Sequence, residues 1–121
     1  MGLDQWINYI TDDGDVHEFY YRKENWLRNW MEENTMLNSE SNCEKIVIHP
    51  TQINELHQAC EQVLDNHELA DELLPTQCGF FYGSTDYDEW YFEGVELVKN
   101  HMEEIMNMEE NVLIVTYEDW W

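Results

Sequence analysis

A chain of 121 residues with 27 Asp and Glu against 5 Lys and Arg carries a formal charge of −22 over one domain's length of sequence. Such a surface repels nucleic acid and anionic lipid headgroups, which excludes direct nucleic-acid binding and a polybasic membrane-surface role. Hydrophobic residues at 43% and aromatics at 14%, with six Trp and seven Tyr, exclude the disorder common to acidic chains, which lack such core-formers.

Leu3 to Ile10, with Trp6, Ile7, Tyr9 and Ile10, reads as a short strand closed by the turn run Asp12-Asp13-Gly14-Asp15. Val16, Phe19, Tyr20, Lys23, Leu27, Trp30 and Met31 then recur at three- and four-residue steps, which predicts a helix capped by Asp15. Glu18, Arg22, Glu24, Arg28 and Glu32 would share its opposite face in i,i+4 pairs. A polar loop over 34–44 leads to a β-branched strand, Lys45 to Ile48.

His49-Pro50 opens a second helix, because Pro is favourable at a first helical position; its stripe of Ile53, Leu56, Cys60, Val63 and Leu64 runs to about Asn66. His67 to Pro75 is a shorter helical turn, and Gly79-Phe80-Phe81-Tyr82-Gly83 an aromatic connector. Asp86 with Glu89 three residues on makes a capping-box-like start for the longest helix, to about Met108. Tyr91, Val95, Val98, Met102 and Ile105 form its apolar face, and Glu89, Glu93, Glu96, Glu103 and Glu104 project from the far side at about 100° per residue. Val112 to Tyr117 is the most strand-like run.

The pattern predicts a single acidic α+β domain over residues 1–121, a small β-sheet packed against three principal helices. Trp6, Phe19, Leu27, Trp30, Leu56, Val95, Val98, Met102 and Val115 are its expected core. No run approaches the roughly 18 apolar residues that span a bilayer, and the start lacks a basic, then apolar, leader, so a cytoplasmic setting is expected. Cys43, Cys60 and Cys78, an odd number at wide spacing, argue against a disulfide framework or zinc knuckle and are expected to be buried.

The start MGLD, the segment YYRKENWLRNW (Tyr20 to Trp30) and above all GFFYGSTDYDEWYFE (Gly79 to Glu93) resemble an uncharacterised family of small bacteriophage and prophage proteins, over nearly the whole chain. In that family an aromatic helix carries WRK, where this chain has Tyr21 for Trp. The resemblance implies a phage origin and a role inside an infected bacterium; it implies no activity.

Paired carboxylates mean little in so acidic a chain. Asp86, Asp88 and Glu89 suit the first turn of a helix, whose free N–H groups and dipole favour acids, better than a Mg²⁺ or Ca²⁺ site. Asp12-Asp13-Gly14-Asp15 resembles the opening of a calcium loop but has no closing Glu at the twelfth position. The five histidines are not spaced as a metal-ligand pair and are expected to be surface or capping residues. Cys60 three residues after His57 lacks an orienting third group, and Ser84 lacks a nucleophile-elbow context. No catalytic residue, metal or cofactor is therefore assigned.

The charge itself is the distinctive feature. At one charge per about 1.7 Å of duplex, 22 charges correspond to roughly 37 Å of DNA, near the diameter of about 35 Å of a compact domain this long. The expected function is thus an acidic inhibitor that mimics DNA in the basic cleft of a host DNA-binding or nuclease protein of the restriction or CRISPR type. Contact would be made by Glu89, Glu93, Glu96, Glu103 and Glu104 with Asp86, Asp88, Trp120 and Trp121. The alternative is an adaptor or inhibitor binding a host protein through exposed aromatics such as Trp120-Trp121 and Phe80-Phe81-Tyr82, with charge only adjusting the on-rate. Trp and Tyr beyond what one small core needs also favour a homodimer. Like charges outnumber opposite ones, so screening over a Debye length of about 10 Å at 0.1 M salt should relieve repulsion. The melting temperature, followed by circular dichroism, is expected to rise between low salt and several hundred millimolar monovalent salt; a flat or falling profile would contradict a crowded acidic surface.

Overall fold

The computed structural model describes residues 2–79 and 82–121. Its first decision is the turn at Asp13-Gly14. Gly14, at φ +91°, occupies backbone space that a side chain disfavours, and its N–H donates to the Thr11 carbonyl at 3.0 Å. The Asp13 carboxylate accepts from the Thr11 hydroxyl and the Asp15 N–H, so the acidic run serves as turn chemistry, and these bonds hold the Asp13 carboxyl below its usual range. The chain reverses, and strand β2 (Val16–Arg22) returns antiparallel along β1 (Asp4–Thr11), with Ile10 opposite Val16 and Asp4 opposite Arg22.

The helix expected from Asp15 is thus a strand in its first half, and helix α1 spans only Asn25–Asn34. Three consecutive aromatics, Phe19-Tyr20-Tyr21, serve both faces of the strand and so reproduce a helical spacing. Phe19 and Tyr21 turn inward and Tyr20 outward, an alternation the β-branched and aromatic composition of β2 favours. Of the three expected i,i+4 pairs only Arg28 with Glu32 forms, at 3.2 Å.

Strands β3 (Lys45–Ile48) and β4 (Val112–Trp120) complete an antiparallel sheet of order β2-β1-β4-β3. Helices α2 (Pro50–Asp65) and α4 (Glu89–Asn107) join α1 against the inner face; a short helix α3 (Ala70–Leu73) follows α2 after one 3₁₀ turn. The fold is α+β with three principal helices, as expected. Leu27, Trp30, Leu56, Val95, Val98, Met102 and Val115 are buried; Trp6, on the outer side of β1, and Phe19, stacked on His101 at 4.0 Å, are half-buried. Among the cysteines only Cys60, on the apolar stripe of α2, is buried; Cys43 and Cys78 lie in connections and are exposed. Phe80 and Phe81 lie outside the described residues, among which no helix is long and apolar enough to cross a membrane.

The polar centre of the fold is Arg28, expected on a solvated face and in fact fully buried. Its Nη1 donates to Asp119 at 2.6 Å, its Nε to Glu32, and its Nη2 to the carbonyls of Asn38 and Ser41, both at 2.9 Å. Tyr117 donates to the second Asp119 oxygen at 2.6 Å and accepts from Gln5, whose amide also brackets the backbone of Glu24. The rings of Tyr82 and Trp121 stand 5.9 and 5.6 Å from the guanidinium. Burial pushes the Asp119 carboxyl up, opposed by the bonds from Tyr117 and Arg28; desolvation likewise works against the Arg28 cation, and Asp119 more than offsets it. Removing one member leaves the other charged and dry. Asp119→Ala is expected to cost about 3–5 kcal/mol of stability in urea unfolding; a loss within the range of an exposed ion pair would show that the pair is solvated.

Candidate functional site

Helix α4 begins at a cap two residues later than the expected capping box. The Asp88 carboxylate accepts from the Tyr91 N–H at 3.1 Å, whereas Asp86 is exposed, its own N–H donating to the Ser84 hydroxyl at 3.0 Å. From that start the buried stripe of Tyr91, Val95, Val98, Met102 and Ile105 faces the core, and the carboxylates come out on the other side.

The five expected acids do not behave alike. Glu89, Glu93 and Glu96 are exposed and make no hydrogen bond or ion pair among the described residues. Glu103 leans toward α2, accepting from His57 Nε2 at 3.0 Å with Lys99 Nζ at 3.5 Å; the His57 bond first, then the Lys99 cation, holds its carboxyl below the usual range. Glu104 leans toward the sheet and accepts from the Tyr9 hydroxyl at 2.9 Å; burial first, then this carboxylate, pushes the Tyr9 phenol up to about 12.

Neither terminal tryptophan joins this face. Trp120 is half exposed on the outer side of the sheet, packed edge-on against Trp6 at 5.5 Å. Trp121 donates its indole N–H to the Ser41 carbonyl at 2.8 Å and lies by Arg28, so it closes the buried ion pair.

Missing from the expected set are the acids of the segment between β3 and α4. Glu55, Glu61, Asp65, Glu68, Asp71 and Glu72 are all exposed. For Glu55, Glu61 and Asp65 the signal was available, since each falls off the Ile53, Leu56, Cys60, Val63 stripe of α2. Residues 50–107 thus hold 13 Asp and Glu against Lys99 alone, a net of 1 − 13 = −12 carried by the helical layer. His57, Glu61 and Glu103 bring one ligand atom each within 4.8 Å of one another and could hold a divalent cation, although Lys99 already neutralises Glu103. Cys60 has no such role: it is fully buried, burial pushes its thiol up, and its neighbour His57 is engaged with Glu103.

A polar cleft of about 280 Å³ opens at the α4 N-terminus between Lys23, Glu24, Asp86, Asp88 and Trp90. Glu24 lies against α4 with its carboxylate in the space that a Cβ on Gly94 would take, so a larger residue there would displace the carboxylate. Burial raises this carboxyl to about 7, opposed by the indole N–H of Trp26 donating at 2.7 Å. The folded chain therefore keeps a proton that the unfolded chain releases near 4.5, and stability falls as pH rises from there through about 7. Glu24→Gln keeps an acceptor for Trp26 without the charge. It is expected to match the wild type near pH 4 and exceed it at pH 8 by about 1–3 kcal/mol in denaturant unfolding; equal stability at both pH values would show the carboxylate to be solvated.

No protein-family model matches the chain, and neither a curated protein nor a solved structure does.

Proposed function

We propose that this protein is an acidic inhibitor whose helical face takes the place of DNA in the basic cleft of a host DNA-binding or nuclease protein. The observation that carries the reading is the contrast between two surfaces, 13 carboxylates against one lysine over residues 50–107 and, on the outer face of the sheet, Asp4, Glu18 and Glu118 beside Arg22 and Lys45. A cleft that holds DNA gains by releasing counterions from a dense anionic lattice and by steering it in over distance, and a dense row of carboxylates gains in the same two ways. Glu89, Glu93 and Glu96 climb α4 at steps of four and three residues, about 6 and 4.5 Å of rise, comparable with the spacing of phosphates along a strand. With no bond to give up among the described residues, they meet a basic groove without first breaking a contact. The phage resemblance of the GSTDYDEWYFE segment, at the start of that helix, fits an inhibitor aimed at a restriction or CRISPR-type defence.

A second reading, an adaptor docking through aromatics, is favoured by Trp90, 78% exposed at the end of the same acidic row. The two separate by mutation. Replacing Glu89, Glu93, Glu96, Glu103 and Glu104 together by Gln keeps helix propensity and removes five charges; at roughly 0.2–1 kcal/mol each, binding should weaken about fivefold to several thousandfold. Its salt dependence should become shallower, and saturating duplex DNA should displace the wild type from its target, as read by pull-down from host lysate with and without DNA. Full-strength binding by the five-Gln variant, with loss in Trp90→Ala and no competition by DNA, would replace mimicry by the aromatic reading.

A further inference from the structure

The helices cover one face of the sheet, and the other is open. The strand registers arrange its outward side chains in rows: Arg22, Asp4 and Trp120 at one end, then Tyr20, Trp6, Glu118 and Lys45, then Glu18, Asn8, Thr116 and Val47, with Val16, Ile10 and Ile114 at the far end. Large apolar groups are left in water there. Val16 is 66% exposed, Trp120 52%, Tyr20 49% and Val47 48%, and Trp6 links Tyr20 and Trp120 into one aromatic cluster with ring centroids 5.6 and 5.5 Å apart. The charge on this face also differs from the rest of the molecule. Asp4, Glu18 and Glu118 stand with Arg22 and Lys45, a net of 2 − 3 = −1 on a chain of −22, and Lys45 lies 3.7 Å from Glu118.

We infer that this face docks against the same face of a second copy of the chain. Charge selects that occupant. A basic partner finds its complement on the helical layer, whereas the open face suits an apolar, nearly neutral surface, which the second copy presents. Packed face to face, two sheets lie about 10 Å apart and turn their helices to opposite outsides, so the two acidic layers stand about 30 Å apart. That is about three Debye lengths at 0.1 M salt, and the mutual repulsion is screened. The area suffices: four strands of about seven residues span roughly 450 Å² in projection, and side-chain relief brings this toward the about 800 Å² per partner of a stable interface. The surface differs from the acidic face of the proposed function, so either inference can fail without the other.

Sedimentation of the full chain at micromolar concentration in moderate salt is expected to give twice 14.7 kDa, with association tightening as salt rises. Val16→Glu with Ile114→Glu places charge in the aliphatic row at positions already solvent-exposed in the single chain. Trp120→Ala removes the aromatic anchor. Each variant should raise the dissociation constant by about ten- to a hundredfold, as for interface hot spots, with the circular dichroism of the wild type. Glu93→Gln with Glu96→Gln, on the helical layer, should leave the dimer intact. A 14.7 kDa species alone, or a dimer that neither Val16→Glu/Ile114→Glu nor Trp120→Ala weakens, would overturn the inference, as would a face that binds another protein while the chain stays monomeric.

Discussion

A guanidinium without solvent, Arg28, ties together three parts of the chain that are distant in sequence. It reaches α1, the connection over 35–44 and the end of β4 at once, and through Asp119, Tyr117 and Gln5 the network continues to the start of α1 at Glu24. A buried ion pair is poor evidence of added stability, because desolvating two charges offsets much of their attraction. Its effect is to specify. With four of the guanidinium's five N–H donors bonded, two of them to carbonyls of the connection over 35–44, the arrangement of that connection is tied to the cation, and Trp121 bonds to the same Ser41 carbonyl.

The rest of the charge is organised by that choice. Five basic residues face 27 acids, and the structure commits one base to the interior, two to the open side of the sheet and one, Lys99, to the helical layer; Lys23 lines the cleft beside Glu24. The helical layer is left almost wholly anionic and the sheet face almost neutral. A two-layer α+β fold has two broad outer surfaces, and here they differ in kind: one attracts cationic surfaces over distance, the other offers apolar area at contact. This division gives the acidic charge a direction, which a solubilising charge would not need.

Glu24 shows the cost of burying a carboxyl with a single donor beside it. Its carboxyl sits against Gly94 with a single indole donor, and burial holds its proton far above the ordinary carboxylate range. Like the raised Asp119, it places a titrating group at a junction of α1 with its neighbours, so pH acts on the same joint that the ion pair organises.

Much of this was legible in the chain. The apolar stripe of α4 and the acids opposite it follow from a helical period over nineteen residues, and α2 was announced by Pro50 and its own stripe. The strands β1, β3 and β4 and the α+β class follow from short β-branched and aromatic runs between turn signals. The boundary between β2 and α1 was not legible, because Phe19-Tyr20-Tyr21 satisfies a period of two and a period of 3.6 alike, and only pairing with β1 decides between them. Arg28 reads as a surface cation in any local window; its burial depends on Asp119, 91 residues away. The same holds for the acidic face. Local periodicity determines which side of each helix is charged, but which charged sides adjoin, and which apolar sheet face stays open, is fixed only when the elements pack, since those are relations between residues distant in sequence.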